Sequence, residues 1–226
     1  MRMPIAGAVV LLVLLLAGCG DDGETAAPDT TAPQTTATTA SAGECASAAA
    51  PEPRGDGGAT EPTEPLDPEK TWTLRFETSC GPFVVTLDTA AAPATSASLV
   101  SLARDGFFDD TVFHRIVPGF VIQGGDPTQS GSGGPGYSTV DVPPTGARYV
   151  KGVVAMAKTA AEPPGTSGSQ FFVVIGEDVG LPPDYAIVGR VSDGLDVVEV
   201  IGALGDPATE QPLQPIVVES VTAESR

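Results

Sequence analysis

TVFHRIVPGFVIQGGDP, residues 111–127, holds two short apolar segments, 112–117 and 120–123, with Pro118-Gly119 between them. Proline sets φ near about −65° and glycine accepts positive φ, so this pair turns the chain sharply. Arg115 and Gln123 sit inside segments that otherwise have the composition of buried strand. A guanidinium among apolar side chains is expensive unless it is paired or faces a wet cleft. The chemistry of the chain is expected here.

Upstream, Trp72, Leu74 and Phe76 alternate with Thr73, Arg75 and Glu77, and Phe83, Val85 and Leu87 alternate again. The turn signal Ser79-Cys80-Gly81-Pro82 lies between them, which predicts a β-hairpin. In residues 91–108, Pro93 suits a first helical turn, Leu99, Leu102 and Ala103 fall at helical spacing, and Gly106 ends the run. Downstream, a Gly/Ser-rich loop covers 130–137, and strand-like runs cover 152–157, 170–175, 186–191 and 216–221. Leu195, Val198, Ile201 and Leu204 predict a second helix. Many short strands with two helices indicate an antiparallel barrel or sandwich, with order beginning at Trp72.

The N-terminal MRMPIAGAVVLLVLLLAGC carries one Arg, then an uncharged apolar run ended by Leu16-Ala17-Gly18-Cys19. The run is short for a membrane span, and small residues precede the cysteine, as in an export signal. LAGC also resembles the bacterial lipobox, which implies cleavage after residue 18 and lipidation of Cys19; an uncleaved anchor helix is the alternative. Residues 1–18 thus read as a signal peptide, 19–70 as a lipidated N-terminus and disordered Ala/Thr/Pro-rich linker, and 71–226 as the folded domain. The linker has no strand or helix periodicity, so no face of it is expected to be buried. The expected location is the bacterial cell membrane, lipid-anchored and facing the extracytoplasmic side. With Cys19 lipidated, Cys45 and Cys80 remain as an even pair in an oxidising compartment and form a candidate disulfide. A net charge of −18 argues against binding nucleic acid or anionic lipid through a basic face. No Cys/His/carboxylate cluster has metal-ligand spacing, and no cofactor is expected.

Phe113-His114-Arg115-Ile116 and Pro118-Gly119-Phe120-Val121-Ile122-Gln123-Gly124-Gly125-Asp126-Pro127 resemble the cyclophilin signature. Gly168-Ser169-Gln170-Phe171-Phe172 resembles the family's second signature. Tyr185-Ala186-Ile187-Val188-Gly189-Arg190-Val191 and Gly194-Leu195-Asp196-Val197-Val198 are similar to the strand and last helix that follow it. The resemblance spans residues 72–221. It implies a mainly β fold, a closed eight-stranded antiparallel barrel capped by two helices, and peptidyl-prolyl cis/trans isomerase activity on proline-containing polypeptides.

By the same matching, Arg115 and Gln123 are the catalytic residues. Phe120 and Phe172 form an apolar floor for the proline ring with Leu181 at its rim, and Val121 shares a strand face with Gln123. Gln170 and backbone groups near Ala157 and Lys158 are expected to take the peptide's polar groups. Tyr185 stands where many relatives carry a histidine. Gly180 departs from the bulky aromatic that often rims the pocket, and residues 159–165 depart from the usual small Asn-rich loop. His114, the one histidine, alternates to the opposite face from Arg115, and isomerisation transfers no proton, so it reads as scaffold. A monomer is expected.

Three functions compete at this point: an isomerase that assists folding of exported proteins at the cell envelope; a proline-peptide binding module or chaperone of the same fold without turnover; and a structural envelope lipoprotein. Arg115 and Gln123 favour the enzyme, because a pure binder could lose the guanidinium freely. An Arg115 held only in a structural salt bridge is the bland alternative.

Overall fold

A computed structural model describes residues 45–226; Cys19 and the expected signal peptide lie outside the described residues. The predicted hairpin forms from strands β1 (Trp72–Thr78) and β2 (Phe83–Leu87). Both bury every second residue, and the register pairs Phe76 with Phe83, whose rings stack at 4.6 Å. Helix α1 (Pro93–Arg104) follows. Its first turn is held from outside, because the Asp141 carboxylate accepts from the Thr95 N–H and hydroxyl, each at 2.7 Å. An anion there suits the positive end of the helix dipole. Gly106, at φ +66°, lets the Phe107 N–H return to the Leu102 carbonyl and close the helix.

Strands β3 (Thr111–Val112), β4 (Arg115–Val117), β5 (Val121–Gly124), β7 (Val153–Met156), β9 (Phe171–Val174), β10 (Ile187–Asp193) and β11 (Val217–Ser225) complete one sheet with β1 and β2. A small separate ladder joins β6 (Thr139–Val140) to β8 (Thr166–Ser167), and helix α2 (Leu195–Gly202) lies between β10 and β11. The large sheet runs β3-β11-β1-β2-β10-β7-β9-β5-β4. Its two edge strands are separated in the chain by only Phe113 and His114, so the sheet must curl until its edges meet at that corner.

The closed eight-stranded barrel implied by resemblance is corrected to a strongly curled half-barrel of nine strands. The physical cause is at the corner, where residues 112–117 form two strands rather than one. The Phe113 N–H bonds the Ile216 carbonyl and the Ile116 N–H bonds the Glu210 carbonyl, so no ladder joins β3 to β4. Two helices pack on the sheet as expected. Among the described residues, no helix is long and apolar enough to cross a membrane.

Inside the curl, Phe76, Phe83, Phe113, Ile116, Ile122, Phe171 and Val173 form one core with the apolar sides of both helices. On the outer side of β4, β5, β7 and β9 a second cluster gathers Val121, Tyr149, Val153, Ala155, Phe172 and Val174. Strands β7 and β9 are covered on both faces, which is why they are buried at every position and read as continuous apolar runs.

Residues 45–70 fall in the segment expected to be a flexible linker. They have no helix or strand, but they lie along the domain through specific bonds. Cys45 is bridged to Cys80. The Ala46 N–H bonds Ser79 O at 2.7 Å, the Arg54 N–H bonds Pro127 O at 2.8 Å, and Gly57 and Ala59 bond Gly134 O and Pro135 O. Gln129 donates to Pro51 O at 2.9 Å, and the Trp72 indole donates to Asp67 O at 3.1 Å. The segment has no periodic apolar face; this strap is held chiefly through its backbone, which composition does not reveal.

Candidate active site

The Pro118-Gly119 turn makes β4 and β5 a hairpin, with Gly119 at φ +73° and the Phe120 N–H returned to Val117 O at 2.9 Å. Its register sets Arg115 directly opposite Gln123. The next ladders set Gln123 opposite Phe172 and Phe172 opposite Ala155. Arg115, Gln123, Phe172 and Ala155 therefore stand in one row across four strands, on the face away from the main core. Two spacings are responsible, the three-residue connection 118–120 between the paired Val117 and Val121 and the alternation of the strands.

Arg115, Phe120, Val121, Gln123 and Phe172 line a cavity of about 240 Å³ together with Ala157, Lys158, Leu181 and Tyr185. Apolar carbon supplies its floor: Val121 and Phe172 are almost wholly buried, while Phe120, Leu181 and Tyr185 remain partly exposed. The Phe172 and Tyr185 rings meet edge to face at 5.6 Å, and each also packs against Tyr149. Tyr149 is fully buried, and its hydroxyl donates to Tyr185 O at 2.7 Å while accepting from the Tyr185 N–H at 3.0 Å. It clamps the cavity wall from behind.

The polar side is a chain of hydrogen bonds. Arg115 Nε donates to Glu210 Oε2 at 2.8 Å, and Nη1 reaches Gln123 Oε1 at 3.5 Å. Gln123 Nε2 donates to Gln170 Oε1 at 3.0 Å, and Gln170 Nε2 donates to Gly133 O at 2.9 Å. The guanidinium is thus anchored by its Nε end and presents its Nη end to the cavity. Glu210 was not singled out in the sequence: it lies in the loop after α2, held with φ +61° by the bond from its N–H to Asp206 O. An isolated acid in a loop gives no local signal of its partner.

Gln170 does not line this cavity. Its carboxamide bonds Gln123 and Gly133 and so orients the polar chain. The Ala157 N–H is likewise committed to Gln170 O at 2.9 Å. Lys158 lies over the Tyr185 ring at 5.5 Å and donates to the carbonyls of Thr159 and Glu162. Gly180 leaves open space where a rim side chain would stand.

His114 faces away from this cavity into a separate groove shared with Gln129 and Leu213. Both ring nitrogens are buried without a hydrogen-bond partner. Burial lowers its pKa; the Asp126 charge opposes that and the Arg115 charge adds to it. Asp126 is fully buried, which acts to raise its pKa, but bonds from the Thr128 hydroxyl and from the N–H groups of Thr128, Gly133 and Gly131 hold it low. Its carboxylate ties up the 128–133 loop beneath Gln170. Among the described residues, no group of His, Cys, Asp or Glu is placed to hold a metal ion.

A sequence profile described as cyclophilin type peptidyl-prolyl cis-trans isomerase/CLD matches residues 73–223. The chain is 34% identical over 158 residues to the peptidyl-prolyl cis-trans isomerase ppi1 of Schizosaccharomyces pombe, covering 66% of this chain and 97% of that one. It is 36% identical over 173 residues to peptidyl-prolyl cis-trans isomerase A of Mycobacterium tuberculosis, covering 69% and 93%. A crystal structure of a Cryptosporidium parvum cyclophilin type isomerase superposes with a TM-score of 0.63 at 28% identity, over 69% of this chain and 99% of that one. The same protein in the presence of the dipeptide Ala-Pro gives a TM-score of 0.62 at 28% identity, over 68% and 99%.

Proposed function

The chain belongs to the cyclophilin-type peptidyl-prolyl cis-trans isomerases and rotates X-Pro peptide bonds, and we propose that Arg115 drives this rotation on exported proteins outside the cell membrane. The X-Pro barrier of about 18–20 kcal/mol reflects the partial double bond, and uncatalysed exchange takes tens to hundreds of seconds. No covalent step is needed. As the bond twists it loses resonance, and the prolyl nitrogen regains a lone pair. A fixed donor aimed at that nitrogen binds the twisted state better than either planar one.

Arg115 is that donor. Its guanidinium is a planar fork of N–H donors with no acceptor, and Glu210 and Gln123 hold it in one orientation. The proline ring rests on Phe120, Val121 and Phe172, with Leu181 and Tyr185 at the sides. An acceleration of roughly 10⁴-fold requires about 5.5 kcal/mol of differential binding, of which one fixed donor supplies about 2.7–4 kcal/mol. The observation that carries this reading is a guanidinium anchored at one end and presented at the other to an apolar cavity.

The envelope setting rests on the apolar N-terminal run and Leu16-Ala17-Gly18-Cys19, with Cys19 as the lipidated residue and the anchor to the membrane. The Cys45–Cys80 bridge agrees with an oxidising compartment. The enzyme acts as a monomer, without metal or cofactor. In a proline-isomerisation assay on the full chain, Arg115→Ala lowers kcat/KM by about 10²–10³-fold. Equal rates in the two proteins would sink the mechanism, and no rate above background in either would promote a binding module of the same fold.

A further inference from the structure

A second cavity of about 390 Å³ adjoins the prolyl cavity, and the two share Gln123, Ala157 and Lys158 as a common wall. An extended peptide with its proline in the first therefore has a flanking side chain at the mouth of the second. The far wall comes from the 131–138 loop, including Ser132, Tyr137 and Ser138. One more residue reaches it from outside residues 73–223, which the family profile matches: Asp56, on the strap.

The strap is fixed at this point on both sides. Asp56 Oδ1 accepts from the Gly134 N–H at 2.8 Å, and the next residue returns the bond, Gly57 N–H to Gly134 O at 2.9 Å. Two glycines allow the approach: Gly57 at φ +72° and Gly136 at φ +94°, where a β-carbon on Gly136 would meet the Gly57 backbone at 3.2 Å. Just upstream, Arg54 donates to the carbonyls of Gly106 and Phe107 and lies over the Phe107 ring at 6.0 Å. Further back, the Cys45–Cys80 bridge ties down the start of the segment. With Oδ1 committed to Gly134, the other carboxylate oxygen remains for a ligand.

The second cavity carries two acids, Asp56 and Glu162, and one base, Lys158. Lys158 is turned toward its own loop and the Tyr185 ring, and Glu162 accepts from the Thr159 N–H and hydroxyl. Asp56 is the least engaged charge. We propose that Asp56, held in place by the strap, is a specificity-determining residue that favours substrates with a Lys or Arg side chain flanking the proline. The proposal rests on the prolyl cavity being the isomerase site, and it adds a choice among substrates.

Proline peptides carrying Lys, Ala or Glu at each of the two positions on either side of proline test it. In the full wild-type chain, Lys exceeds Glu in kcat/KM by about two- to fivefold at one of these positions, the range of a partly exposed ion pair. Asp56→Asn removes that preference and Asp56→Lys inverts it. Glu52→Gln on the same strap keeps it, because the Glu52 carboxylate lies outside the cavity. An unchanged Lys-to-Glu ratio in Asp56→Asn overturns the proposal. So does an equal fall in Glu52→Gln, which would assign the preference to the overall charge of −18. Turnover of the Ala peptides by wild type reads the isomerase separately; its absence would overturn the site itself.

Discussion

Arg115 and Gln123 announce themselves in the sequence because polar side chains are costly in apolar strands, and the register then places them opposite each other. What holds Arg115 came from elsewhere. Glu210 is 95 residues away, and the pair is partly exposed, 35% and 47% at the two side chains, so its worth to stability is about 0–1 kcal/mol. Its value is in aim. Glu210→Gln leaves an acceptor of the same shape without the charge, and it lowers kcat by about two- to fivefold with little change in KM. A rise in KM at constant kcat would assign Glu210 to ground-state binding instead.

His114 supplies the second test at this scale. Its pKa is lowered chiefly by burial, so the unfolded chain takes up this proton first as pH falls. Stability is therefore whole above the ordinary value of 6.5 and declines below it until the folded value is reached. His114→Gln flattens that part of the curve, which urea midpoints at pH 7 and 5.5 will show. Turnover by a guanidinium has no such dependence and stays flat between about pH 5 and 9.

Among the elements, the hairpins and both helices follow from turn chemistry and periodicity, and the structure keeps them within a few residues. The difference lies at Phe113-His114, where one expected strand is two, because the corner of the curl takes its bonds from Ile216 and Glu210 rather than from a neighbouring ladder. Gly125 shows how closely the ends of β5 and β9 meet. At φ +83°, a β-carbon there would lie 2.4 Å from Ser169 O, whose own hydroxyl bonds Gly125 O. Gly125→Ala costs about 2–3 kcal/mol through strain and displaced backbone. It also reduces activity, since Gln123 and Gln170 flank this junction. Chemical denaturation and the isomerase assay on one preparation check both, and an unchanged midpoint would contradict the close packing.

For the molecule as a whole, the strap changes the boundary of the folded unit. The sequence reading began order at Trp72, yet backbone bonds run along the domain from Ala46 onward. The Cys45–Cys80 bridge spans a separation of 35 residues, and on a chain-entropy argument it contributes about 3–4 kcal/mol. Thiol reduction, or Cys45→Ser, lowers the melting temperature accordingly. The same midpoint with and without reductant would show that the strap adds nothing to global stability.

The sequence by itself determined what neighbours along the chain decide: the Pro-Gly turn, the alternation that turns Ile116 inward and Arg115 outward, the glycine that closes α1, and the polar pair among apolar residues. These depend on dihedral preferences and on two-residue or helical periods, which act over a few residues. Tertiary structure alone decided that Glu210 anchors Arg115, that Tyr149 braces Tyr185, that Gln170 serves Gln123, and that Asp56 reaches the second cavity. Each of those contacts joins groups separated by tens of residues and brought together by the curl of the sheet or by the strap. No local propensity encodes such a meeting, because its free energy appears only when the intervening chain has folded.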